Sequence, residues 1–110
     1  MAKAETKIVH QILEGLREKY SGAYLRKIHG NPFQHAGIPD IVGCIHGHFI
    51  GLEVKTTQGR VSRIQELEGI AILGSDGIHG VVTDLEEAIN IIEGGFKRLK
   101  FAYSQEEGLG

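Results

Sequence analysis

The sequence predicts one small α/β domain, a mixed sheet flanked by helices, and three observations predict it. A chain of 110 residues with 41% hydrophobic content can bury one core and is too short for a separate recognition module. Near the N-terminus, Ile8, Val9, Ile12, Leu13, Leu16 and Tyr20 recur at helical spacing and fall on one stripe. Further on, two apolar runs flank His46-Gly47 in the pattern of a β-hairpin, and a helix and another strand follow.

Each element has its own signals. The first helix is expected from near Glu5 to Tyr20, stopping at Ser21-Gly22, and a strand follows from about Tyr24 to His29. The loop Gly30-Asn31-Pro32-Phe33-Gln34-His35-Ala36-Gly37 leads into the hairpin and would border any cleft there. After a loop through Thr56-Thr57-Gln58-Gly59, a helix runs from Ser62 to about Leu73, ending before Gly74 with a Gly77 turn beyond. Ile78 to Val82 reads as a short strand, and Thr83 with Glu86 as a capping box opening a helix through Ile92. Past Glu93-Gly94-Gly95, apolar and basic residues alternate from Phe96 to Tyr103, which suggests an edge strand or an arm with a frayed end. Residues 1–94 are thus expected as the core and 95–110 as a C-terminal arm. An apolar arm has little core of its own to cover on so small a scaffold, so a homodimer is expected.

The hairpin sets the chemistry. A two-residue His46-Gly47 turn pairs Ile45 with His48, Gly43 with Ile50 and Ile41 with Leu52, and so brings Asp40 opposite Glu53. Lys55 lies two residues beyond Glu53 and leaves the same face, while Val54 points the other way. Facing carboxylates are destabilising unless a cation lies between them or one keeps its proton. A divalent metal is the simpler resolution. Oxygen donors alone suit Mg²⁺ or Mn²⁺, whereas zinc would recruit histidine or thiolate. Lys55 is then placed to assist a water nucleophile or to stabilise charge growing on a phosphoryl group. The competing reading is a solvated Glu53–Lys55 pair on an exposed strand, since a three-residue match is weak by itself.

Gly37-Ile38-Pro39-Asp40, then Glu53-Val54-Lys55, then Ser62 and Gln65 at a helix start, resemble the PD-(D/E)xK nucleases and specifically the virus-type replication-repair nuclease (VRR-NUC) domain. The resemblance runs from about the first helix to the strand near Val81. It implies a restriction-endonuclease-like fold, with Asp40, Glu53 and the Val54 carbonyl as metal ligands, Lys55 as the catalytic lysine and Gln65 as its supporting glutamine. Archaeal-type Holliday junction resolvases carry a similar order of acids and lysine, so the resemblance fixes chemistry better than substrate. A phage or prophage origin is suggested by the resemblance alone.

The family also has a glutamate on the first helix. Among Glu5, Glu14 and Glu18, only Glu5 falls within the apolar stripe, which makes it the candidate for the outer wall of the site. A first-turn acid is equally explained by the helix macrodipole. Gln65 is likewise explained by a capping box with Ser62, and one side-chain conformation is not expected to meet both roles fully.

A net charge of −2 is unusual for a nucleic-acid enzyme, because counterion release from basic residues supplies much of such affinity. The basic residues are locally placed, however. Arg60 and Arg63 follow Lys55 and are the candidate phosphate contacts; Arg26, Lys27, Lys97, Arg98 and Lys100 are more ordinary surface charges. No apolar run is long enough for a membrane span, and a lone Cys44 inside an apolar strand reads as a small buried residue in a reducing cytoplasm. His46-Gly47-His48 supplies two metal ligands at most and reads as a hairpin tip, and His35 has no partner at ligand spacing. The expected function is hydrolysis of DNA phosphodiester bonds, selective for structure such as branches, flaps or Holliday junctions. The alternatives are a restriction-like endonuclease, for which the chain offers little surface to read base edges, and a non-catalytic nucleic-acid-binding module of the same fold.

Overall fold

The turn at His46-Gly47 sets the register of the central strands. In a computed structural model of the chain, which describes residues 3–30 and 35–109 and the side chains from 4 to 30 and 35 to 100, both turn residues take positive φ, 51° and 82°. That is the primed turn whose twist matches the flanking strands, and it requires a glycine or a tolerant residue at each position. The strands it joins are β2 (Ile41–Ile45) and β3 (His48–Val54), paired antiparallel with Ile45 opposite His48, Gly43 opposite Ile50 and Ile41 opposite Leu52, as the turn arithmetic requires. The other elements are α1 (Lys3–Lys19), β1 (Tyr24–Lys27), α2 (Arg63–Gly74), β4 (Ile78–Val82) and α3 (Leu85–Leu109).

The sheet runs in the order β1-β2-β3-β4, antiparallel except for the parallel pair β3–β4, which α2 connects. Alternation along the strands sends Leu25, Ile41, Ile45, Ile50, Leu52, Val54, Ile78 and Val82 to one face, where all are buried. Val9, Ile12, Leu13, Leu16 and Tyr20 of α1 and Ala88, Ile92 and Leu99 of α3 complete that core. The predicted stripe on the first helix is therefore its buried face. Gly43 lets β1 cross close over β2, since a Cβ there would meet the Tyr24 carbonyl.

Helix α2 lies on the opposite face, packed over β3 and β4. Gly69 accepts the edge of the His79 ring and Gly51 accepts Ile72, so small residues on each element let them approach. The uncovered half of that face leaves Cys44 exposed, contrary to the buried position expected for it.

Two boundaries differ from expectation. Asp84, not Thr83, caps α3: its Oδ1 accepts from the Glu87 N–H at 2.8 Å, while the Glu87 carboxylate takes both the N–H and the hydroxyl of Thr83. And α3 does not end at Ile92 but continues as helix through Gly94-Gly95 to Leu109, so the expected edge strand is replaced by helix. Gly95 packs against Ile78, and Ile92, Phe96 and Leu99 recur at helical spacing toward the core. His46 stacks on Phe96 at 5.7 Å, and His48 and Tyr20 flank the same ring, so the hairpin tip is pinned to this helix.

Candidate active site

Asp40, Glu53 and Lys55 converge on the α2 side of the sheet. Glu53 sits inside β3 at 3% exposure, the sole buried charged residue among those described. Asp40 precedes β2, and its Oδ2 accepts from the Val54 N–H at 2.8 Å. Extending the β2–β3 register two steps beyond Ile41–Leu52 would set Pro39 opposite Val54. Proline has no N–H to offer the Val54 carbonyl, and the Asp40 side chain substitutes as acceptor for the Val54 N–H. The Lys55 Nζ lies 3.6 Å from Glu53 Oε1, with its backbone anchored to the Val82 carbonyl at 3.0 Å.

The Glu53 carboxyl is raised to about 8, by burial first and by the neighbouring Asp40 carboxyl next, with Lys55 offsetting part of the effect. A protonated Glu53 beside an acidic partner is what two close carboxylates adopt when nothing else neutralises them.

Gln65 makes the cap contact and a contact to Glu53 with one conformation. Its Oε1 accepts from the Ser62 N–H at 2.9 Å, completing the capping box, while its Nε2 donates to Glu53 Oε1 at 2.8 Å. An amide has an acceptor end and a donor end, so the anticipated conflict between cap and site does not arise.

The other candidates fall at different distances from this centre. Glu5 occupies the first turn of α1, half-buried, and does not join Asp40 and Glu53 in a cluster: among the described residues no three His, Cys, Asp or Glu side chains come together closely enough to hold a metal. Arg60 is exposed on the loop after Lys55, and Arg63 is exposed and paired with Glu66 at 3.1 Å. Of the loop before Asp40, residues 31–34 lie outside the described residues. His35 contacts Glu68 of α2 at 2.6 Å, which ties the end of that loop to the helix carrying Gln65.

Sequence reasoning passed over His79. Its Nδ1 bonds the Gly51 carbonyl at 2.9 Å, burial lowers its pKa, and with Glu53 and Gln65 it lines a cleft of about 420 Å³ between α2 and β4. Its place follows from the parallel β3–β4 register, in which His79 pairs with Gly51, two residues before Glu53 and on its face, and no sequence signal fixes that pairing.

The fold is similar to that of a solved VRR_NUC domain, with a TM-score of 0.60, 20% sequence identity, and coverage of 84% of this chain and 97% of that one. No family model matches the sequence, and no curated protein matches it. At 20% identity, that likeness over 84% of the chain gives it the fold of a VRR_NUC domain.

Proposed function

We propose that this chain is a Mg²⁺- or Mn²⁺-dependent nuclease that hydrolyses DNA phosphodiester bonds and selects substrates by structure, such as branches, flaps or Holliday junctions. The observation that carries the reading is the juxtaposition of Asp40, Glu53, Lys55 and Gln65 on one face of a VRR_NUC-like sheet.

The donor set fits a hard cation. Asp40 and Glu53 supply carboxylate oxygens and Val54 a backbone carbonyl without a proline N–H to engage it. His79 turns its Nε2 toward Gly69 and His35 bonds Glu68, so neither joins the two carboxylates as zinc would require. Mg²⁺ is commonly held by one or two carboxylates, with water and substrate phosphate in the remaining positions, so no third protein carboxylate is required. Glu5 is proposed as an outer residue of this site, reached through water. When bound, the ion supplies charge neutralisation and Lewis acidity at the phosphoryl group.

The protein's own groups do the rest. With a cation bound, Glu53 would be held as the carboxylate, its proton released to solvent. Gln65, held by the helix cap, keeps Glu53 Oε1 oriented, and Lys55 offers its ammonium group to the attacking water and to the charge that grows on the phosphate. Arg60 and Arg63 are proposed phosphate contacts at the rim, with Arg63 exchanging Glu66 for a phosphate.

A homodimer is proposed through α2. Ile64, Leu67, Ile70 and Leu73 stand 41–60% exposed along it, beside the cleft against β4. An exposed apolar ridge of this kind is a surface on which a second copy can pack about a two-fold axis. Light scattering should give a dimer that Leu67→Glu converts to monomer; a monomeric wild type removes this part of the reading. Among the described residues no helix is long and apolar enough to cross a membrane.

The test of the activity is cleavage of single-stranded, duplex, flapped and four-way DNA with Mg²⁺, Mn²⁺ or chelator. Metal-dependent cleavage that is strongest on branched forms is expected. DNA binding without cleavage under any condition would favour the non-catalytic module.

A further inference from the structure

The face that carries Asp40 and Glu53 continues, uncovered, across β1 and β2. The register places Tyr24, Cys44 and Phe49 in one row across three strands, Arg26, Val42 and Gly51 in the next, and Asp40 with Glu53 beyond that. Helix α2 packs over β3 and β4, so Tyr24 on β1 is 59% exposed, while Phe49 on β3, beside Ile72 and Gly77 at the end of α2, is 47% exposed. The Arg26 guanidinium stacks 4.2 Å from the centroid of the Tyr24 ring. A solvated strand face normally carries polar residues, and this one presents two aromatic rings, a valine, a cysteine and a single cation.

A ligand for such a surface needs a flat apolar part and a negative charge. A nucleic-acid strand has both, and its bases can reach the ring only where they are unpaired, because a duplex keeps their faces stacked inside. Continuity with the candidate active site favours the same conclusion. At a rise of about 3.3 Å per residue, Arg26 lies about 7 Å and Tyr24 about 13 Å from the Asp40 row along the strands, the reach of roughly two extended nucleotides.

We propose that the uncovered half-sheet is a single-strand track: Arg26 takes the phosphate beside the scissile one, and the Tyr24–Arg26 stack takes an unpaired base about two nucleotides along. The proposal rests on the nuclease reading for where the strand leads. It narrows the substrate to DNA with an unpaired segment flanking the cut. Base stacking on aromatic and guanidinium planes is tolerant of sequence, which agrees with selection by structure.

The chain contains no tryptophan, so Tyr24→Trp creates a single fluorescent reporter. Titrated in chelator with an unpaired DNA oligonucleotide, its emission should be quenched, and a blunt duplex of the same length should require at least about tenfold more DNA for the same quenching. In parallel, Tyr24→Ala should raise KM about tenfold on a flapped substrate with kcat within about twofold, and Tyr24→Phe should restore the wild-type KM. Arg26→Ala should raise KM and flatten its salt dependence. Cleavage with no quenching, a wild-type KM in Tyr24→Ala, or loss of dimer mass in that variant would overturn the track. Quenching without cleavage of any substrate would instead overturn the nuclease reading and leave the strand-binding surface standing.

Discussion

Replacing Glu53 with glutamine tests the electrostatics of the site without any substrate. Glu53 is raised from an ordinary 4.5 to about 8, by burial first and then by Asp40. The folded chain therefore holds a proton that the unfolded chain has lost. The stability this contributes is complete below about 4.5 and disappears as pH rises through about 8. At about 1.4 kcal/mol per tenfold change in proton affinity, the full difference caps the effect near 5 kcal/mol. Relaxation and water entry on ionisation reduce such penalties, as does the Gln65 donor at 2.8 Å, so about 2 kcal/mol is the working figure. Glutamine at position 53 imitates the protonated acid. Urea denaturation in chelator should give equal stabilities for wild type and Glu53→Gln near pH 5, and a variant about 2 kcal/mol more stable near pH 8. Subtracting the two curves removes the histidines, which titrate in both proteins. Parallel curves from pH 5 to 8 would refute the reasoning.

Two further substitutions test how α2 is held. Gln65→Ala removes both the reciprocal cap and the donor to Glu53, and should cost about 1–2 kcal/mol in urea denaturation; Gln65→Glu should retain the Ser62 contact while setting a carboxylate against Glu53, which favours the protonated Glu53 further and enlarges the loss of stability between about pH 5 and pH 8. Gly69→Ala places a Cβ on the His79 ring and should cost about 1–3 kcal/mol by overpacking, with part recovered when His79→Ala is added; no recovery would mean that the helix backbone, not the ring, resists.

The parts of the fold that could be read from residues were those set by local chemistry. His46-Gly47 admits one short turn, and from it the pairing of β2 with β3 follows by counting. The apolar stripe of α1 was legible because a 3.6-residue period has no strand equivalent there. Glycine misled at the other end. Gly94-Gly95 reads as a helix stop, yet Gly95 is retained because Ile78 leaves no room for a side chain, a tertiary reason invisible in one dimension. The same limit hid the exposure of Cys44 and Tyr24, since which half of a sheet α2 covers is set by packing of distant residues.

At the site, the positions of Asp40, Glu53 and Lys55 follow from register and alternation, and that part was legible. The double engagement of Gln65 was not, because a residue with one cap role looked committed until its amide was seen to have a free donor. His79 was missed because its neighbour in space, Gly51, is 28 residues away in the chain and carries no chemistry of its own.

Manganese binding followed by electron paramagnetic resonance, on wild type and on Asp40→Asn with its fold checked by circular dichroism, tests the central claim most directly. The account predicts Mn²⁺ bound to the wild type, more tightly as pH rises and Glu53 releases its proton, and at least about tenfold weaker binding in a folded Asp40→Asn chain. Equal Mn²⁺ affinity in the two proteins, or none in the wild type even with DNA present, would contradict it.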